Sequence, residues 1–313
     1  MILWMVIFVS DAFCEPSDVM TIPSDLKVPK VTIGQPVPGK RALQALPQYE
    51  ESDVRHALYL PTDWEQGKTY PVLVEYTGNN GTVKGGKACQ GYGISGGKGF
   101  LWLCLPYVSE DGENDMDWWW GDPDRTAAYA KTALTSVCEK WGGDPNAVIL
   151  TGYSRGAIAC NYIGLRNDDI AELWLGMVPA SHYDNRRWGM SPDEFQRGPQ
   201  RLNRLGDTPQ YVCGEHHLAT RHTDSKLLKM VHDRKIDDFE TAKRELNLIP
   251  MTQQEGIREF IKKNHSEANI TYADFPWVNH TGDWILRDTQ ERRKLRVWVQ
   301  DLLAETKPET QKQ

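Results

Sequence analysis

Ser154 stands at the centre of Gly152-Tyr153-Ser154-Arg155-Gly156, a spacing that suits a serine hydroxyl offered as a nucleophile on a sharp turn. The flanks supply the context this chemistry needs. Ala147-Val-Ile-Leu-Thr151 is a fully apolar run before the motif, and the small-residue stretch Ala157 to Leu165 opens a helix after it. A strand-to-helix turn of this kind lifts the hydroxyl clear of the sheet edge. Side chains at Gly152 and Gly156 would collide with the strand and the helix. The helix N-terminus beneath the serine favours the negative charge that a reacting oxygen acquires.

The stretch Gly143-Asp-Pro-Asn-Ala-Val-Ile-Leu-Thr-Gly-Tyr-Ser-Arg-Gly156 resembles the nucleophile region of the α/β-hydrolase superfamily, most closely secreted esterases of the polyhydroxybutyrate-depolymerase and feruloyl-esterase kind. The resemblance spans roughly residues 54–303 in element order. It implies an α/β-hydrolase fold, with a mostly parallel central sheet covered by helices on both faces. It also implies the chain order serine, acid, histidine. His280 is then the general base, in the loop Asn279-His280-Thr281-Gly282-Asp283-Trp284 between the last strand and the last helix. The acid belongs after the penultimate strand, where relatives commonly carry Asp at the place held here by His217. Glu215 is the nearest carboxylate, Asp224 lies farther along the same loop, and Asp184 follows the preceding strand. All three remain open, with Glu215 favoured. An oxyanion hole needs two backbone N–H groups. Arg155 supplies one, and Gly78 or Asn79 in the loop Thr77-Gly-Asn-Asn-Gly81 the other.

Twelve tryptophans are present, three of them in Asp115-Met-Asp-Trp118-Trp119-Trp120-Gly-Asp122. On the side of the sheet where such folds place their ligands, these indoles could stack on sugar rings. Packing beneath a loop is the competing expectation for at least two of them. Trp188 and Trp277 could extend the same wall.

The elements that must position these groups follow from hydrophobic periodicity and punctuation. Strands are expected at 54–60, 70–76, 100–107, 147–151, 173–178, 210–213 and 270–273. Helices are expected at 126–141, 157–165, 255–263 and 289–303, the first stopped by Gly142-Gly143-Asp144-Pro145. Residues 51–304 read as one catalytic domain, with an extended Pro-rich leader at 15–50 and a polar tail at 305–313.

Bulk properties set the remaining bounds. The 313 residues carry a net charge of −7, so neither a nucleic acid nor an anionic membrane is an expected partner. Ile2–Val9 is apolar but far too short to span a bilayer. With small residues near 10–14 it suits a signal peptide at 1–14, and hence a secreted or periplasmic protein. No later run is long enough for a membrane span. The six cysteines form no CxxC pair, which argues against a metal or redox site, and His216-His217 with His222 lack zinc-ligand spacing. No P-loop or dinucleotide fingerprint occurs, so no cofactor is expected. Four Asn-x-Ser/Thr sequons lie at Asn80, Asn264, Asn269 and Asn279. The leading expectation is a secreted serine ester hydrolase acting through an acyl-enzyme on a small-molecule, polysaccharide or polyester ester. A serine peptidase of the same fold and a non-catalytic glycan-binding relative are the alternatives.

Overall fold

The computed structural model describes residues 18–215, 218–219, 251–277 and 279–305. In chain order the strands are β1 (Val31–Ile33), β2 (Arg41–Gln44), β3 (His56–Tyr59), β4 (Tyr70–Tyr76), β5 (Leu101–Leu105), β6 (Gly143–Tyr153), β7 (Gly176–Ala180), β8 (Gln210–Glu215), β9 (Leu218–Ala219), β10 (Met251–Thr252) and β11 (Ile270–Phe275). The helices are α1 (Gln90–Ser95), α2 (Pro123–Trp141), α3 (Arg155–Tyr162), α4 (Asp168–Ala171), α5 (Pro192–Gln196), α6 (Gly198–Asn203), α7 (Gln253–Asn264) and α8 (Gln290–Glu305).

Among the described residues, nine strands form one sheet in the order β1-β2-β3-β5-β4-β6-β7-β8-β11. Every pairing from β5 to β11 is parallel, and the antiparallel pairs β2–β3 and β3–β5 lie at one edge. Two hydrophobic cores flank it. Val72 and Val74 of β4 join one core with Ala130 of α2, Ile158 of α3 and Ile257 of α7. The intervening Leu73 faces the other, with Ile94 of α1 and Leu295 and Val299 of α8. A strand buried on both faces must be apolar at successive positions, which is why 147–150 is uniformly so, and the Thr151 hydroxyl that follows donates to the Val178 carbonyl.

Local chemistry fixes the ends of the long helix. The Asp122 carboxylate accepts from the N–H groups of Asp124 and Arg125, and Pro123 occupies the first helical position. Gly142 ends the helix at φ 76°, where a Cβ would lie 2.3 Å from the Lys68 carbonyl oxygen.

Several elements differ from the sequence expectation. The described part of the leader, 18–50, is structured: β1 and β2 extend the sheet, and Val19–Thr21 forms a 3-10 turn. Strands this short carry too few alternations to stand out in sequence. The Val19 N–H donates to Asn279 Oδ1 at 2.9 Å, the Asp25 and Leu26 N–H groups donate to the Leu286 carbonyl, and Arg292 pairs bidentately with Asp25. The leader is therefore a strap across the 279–292 segment. The strand expected at 173–178 begins at Gly176, because the Trp174 indole turns back to donate to the Gly164 carbonyl at 2.7 Å. Trp277 is buried between Phe275 and Trp284 and cannot line a ligand wall. The expected signal segment at 1–14 and residues 306–313 lie outside the described residues.

Candidate active site

Ser154 is the N-cap of α3 at φ 57°, ψ −116°, a backbone conformation that a non-glycine residue adopts only when its surroundings force it. The forcing is visible on both sides. A Cβ at Gly152 would fall 2.3 Å from the Gly156 carbonyl, and one at Gly156 would fall 2.0 Å from the Tyr76 carbonyl oxygen. Strand, turn and helix are thus pressed together with no room for side chains, and the serine takes the strain. Its N–H donates to the Ala180 carbonyl at 3.1 Å.

The hydroxyl meets an imidazole. His280 Nε2 lies 3.1 Å from Ser154 Oγ, and His280 Nδ1 lies 2.5 Å from Glu215 Oε1. Glu215 is the last residue of β8 and is buried, its side chain 1% exposed against 36% for His280. Two hydroxyls converge on the same carboxylate oxygen: Ser181 Oγ donates at 2.8 Å and Tyr153 Oη at 3.4 Å. The acceptor-only carboxylate calls for the proton of the imidazole to sit on Nδ1. That leaves Nε2 as the acceptor facing Ser154. Burial, with the Glu215 charge second, pushes the Tyr153 phenol well above its usual range, so it stays a neutral donor.

The structure brings Ser154, His280 and Glu215 together and pairs Asp184 elsewhere. Asp184 is corrected: its carboxylate forms a bidentate pair with Arg201 at 2.7 and 3.1 Å, both side chains 1% exposed. Burial raises it to about 6, opposed by the Arg201 guanidinium. A carboxylate committed in this way ties α6 to the loop after β7. Asp224 and His217 lie outside the described residues. Gly78 packs against the serine, since a Cβ there would lie 3.6 Å from Ser154 Cβ. Asn79 accepts from the Trp119 N–H at 3.1 Å, and Arg155 is the first residue of α3.

Three site neighbours escape a reading of sequence: Tyr153, Ser181 and His182. The His182 ring is stacked between His280, at 4.9 Å, and Trp188, at 4.6 Å. One signal was available for Tyr153, its place beside the serine. Ser181 and His182 are isolated polar residues with no periodicity to mark them. Strain does mark the region. Among the described residues, the non-glycine residues at positive φ are Asn80, Trp119, Ser154, Ser181 and Trp188, and each belongs to this site or its rim.

Of the three consecutive indoles, Trp120 is core, at 5% exposed, Trp119 is half-buried, and Trp118 is 48% exposed. They line a cavity of about 860 Å³ that also touches Tyr162, Arg166 and Glu194. A second cavity, of about 380 Å³, is bounded by Gly78, Asn79, Tyr153, Cys89 and Gly282. Among the described residues no group of three or more His, Cys, Asp or Glu is placed to hold a metal ion, and no helix is long and apolar enough to cross a membrane. Cys89, Cys104, Cys138, Cys160 and Cys213 are free thiols.

Comparison with protein-family models and with curated proteins finds no match. Solved structures do match. Esterase Est22 superposes at a TM-score of 0.50 with 11% identity, over 80% of this chain and 76% of that one. Esterase B from Lactobacillus rhamnosis gives 0.49 with 14% identity, over 86% and 89% of the two chains. The S-formylglutathione hydrolase from Agrobacterium tumefaciens gives 0.49 with 11% identity, over 84% and 92%. With the strand order above, the likeness to Est22 identifies the α/β-hydrolase fold.

Proposed function

We propose that the chain is a serine carboxylic ester hydrolase working through an acyl-enzyme. The observation that carries this reading is the line Ser154 Oγ, His280, Glu215, at 3.1 and 2.5 Å, built on a strained elbow. In the proposed first step the Ser154 proton passes to His280 Nε2 as Oγ bonds to the ester carbonyl carbon. The carbonyl π pair moves to oxygen, where the N–H groups of Arg155 and of Gly78 or Asn79 receive it. Collapse breaks the ester C–O bond, and His280 returns the proton to the departing alkoxide. Water repeats the cycle on the acyl-serine and releases the acid. Glu215 holds the imidazole in the Nδ1–H tautomer and stabilises its protonated form.

The substrate is proposed as the ester of a small acid, or an acylated polysaccharide or polyester whose main chain lies along Trp118. The exposed indole and the adjacent cavity support that extension. Export of the protein is proposed from the apolar N-terminal run alone.

Hydrolysis of p-nitrophenyl acetate and butyrate, together with fluorophosphonate labelling at Ser154, tests the reading. Both should be present in the wild type and absent in Ser154→Ala. Full activity in that variant refutes it. An unlabelled, inactive wild type points instead to a fold that binds esters or glycans without cleaving them.

A further inference from the structure

Resting on the proposed role of Ser154, we infer that the side chain of Arg155 is the positioning residue that aims the second donor of the oxyanion hole. Its own backbone N–H is the proposed first donor, so one residue would govern both halves of the hole.

Arg155 is 1% exposed, and its hydrogen bonds go to carbonyls and a hydroxyl rather than to a carboxylate. Nε points to the Thr77 carbonyl at 3.4 Å. Nη2 reaches the Gly78 carbonyl at 3.0 Å, the Gly81 carbonyl at 2.8 Å and Thr77 Oγ1 at 3.3 Å. Nη1 reaches the carbonyls of Met116 at 3.1 Å and Trp119 at 2.7 Å. The guanidinium also lies 3.9 Å from the Tyr107 ring centroid, and Tyr107 Oη donates to the same Thr77 carbonyl. A buried cation is costly unless each donor is satisfied. Here one loop, 77–81, supplies four of the six contacts.

The consequence follows from peptide geometry. In a trans peptide, the C=O of one residue and the N–H of the next point in opposite directions. The Thr77 carbonyl shares its plane with the Gly78 N–H, and the Gly78 carbonyl shares its plane with the Asn79 N–H. Arg155 holds both carbonyls, so both N–H groups are turned away from the guanidinium. Gly78 meanwhile packs on Ser154. Whichever of the two amides meets the oxyanion, its aim is set by Arg155. The contacts to Met116 and Trp119 fasten the tryptophan loop to the same hub, and the Asn80 N–H to Asp117 carbonyl bond closes it.

The test uses Arg155→Met, which keeps the length and loses the donors, and Arg155→Lys, which keeps the charge on a single donor atom. The expected result on p-nitrophenyl acetate is a fall in kcat of about 100-fold for Met and about 10-fold for Lys, each with KM within about threefold. A merely structural role would lower the folded fraction without splitting kcat from KM. In 15N-labelled protein, a trifluoromethyl ketone that forms the hemiketal should shift the Gly78 or Asn79 amide resonance in the wild type. That shift should shrink in both variants. A folded Met variant with kcat within twofold of wild type overturns the inference. If Met does not fold, an unchanged kcat in Lys does so. A wild type that fluorophosphonate does not label sinks the hydrolase reading itself, a result distinct from either.

Discussion

Glu215 Oε1 sits 2.5 Å from His280 Nδ1, while the other carboxylate placed at a neighbouring strand end, Asp184, is clamped by Arg201. The proposed acid stands at the very end of β8 instead of in the loop beyond it. Glutamate is one methylene longer than aspartate, and that length carries its carboxylate from the strand end to the imidazole.

Removing the charge at Glu215 should therefore act on chemistry, and removing it at Asp184 on folding. Glu215→Gln is expected to lower kcat by roughly 10²–10⁴-fold, because the amide no longer selects the required tautomer. Asp184→Asn leaves a guanidinium buried without its ion and is expected to cost about 3 kcal/mol or more of stability. Ester kinetics alongside urea unfolding of both variants would read the difference. Equal loss of kcat in the two would contradict it.

The elbow glycines allow a sharper expectation. Gly156→Ala drives a methyl group against the Tyr76 carbonyl, 2.0 Å from the ideal Cβ. Backbone cannot yield as a side chain tip does, so a loss of at least about 2 kcal/mol is expected. Gly99→Ala, at φ 70° with open space around it, carries only the conformational strain, about 1 kcal/mol. Similar melting temperatures for the two variants would rule out steric crowding at the elbow.

The three indoles should separate by exposure. Trp120→Ala empties core and is expected to cost about 3–5 kcal/mol. Trp118→Ala should leave stability and p-nitrophenyl acetate turnover unchanged, while lowering kcat/KM on an acetylated polysaccharide by about 10-fold. No effect on any polymeric ester would remove Trp118 from the proposed substrate path.

Acid should destabilise the fold partly through His56. Its ring is buried against Tyr129 Oη, at 2.9 Å, and burial pushes its pKa down from 6.5 to about 4. Between those values the unfolded chain binds a proton that the folded chain refuses. Stability is full above pH 6.5 and falls as pH drops towards 4, by up to about 3 kcal/mol. Asp115 and Asp184, whose pKa values are raised by burial to about 7 and about 6, contribute with the opposite sign, losing stability as pH rises. The difference between wild type and His56→Gln isolates the histidine. Its unfolding free energy should narrow steadily from pH 6.5 to 4.5, and a constant difference would disprove this.

The parts of the fold legible in sequence were those with a period or a stop. Uniform apolarity revealed β4, β5 and β6, and the Gly142 cap ended α2 where its turn chemistry requires. Ser154 and His280, which the structure brings to 3.1 Å of each other, could be singled out because each lies at a junction that periodicity defines. For the carboxylate, sequence favoured Glu215 but left Asp184 and Asp224 open, since Arg201 claims Asp184 through a contact across two elements that no local spacing encodes. Nor were Ser181 and His182, single polar residues whose role exists only once β7 and β8 lie side by side. The leader's strands were missed because three or four residues of pairing leave almost no pattern.

The strap from the N-terminal segment gives the protein an order of completion. Val19 is synthesised 260 positions before Asn279, and it waits for that residue to close its hydrogen bond beside His280. At about 5–20 residues per second, a ribosome takes on the order of 10–50 seconds to cover that interval. Throughout it, the apolar strands between exist without the histidine loop that closes one face. A nascent chain of this design carries Ser154 for 126 residues before His280 is made, so the reactivity proposed for Ser154 would appear only after that interval.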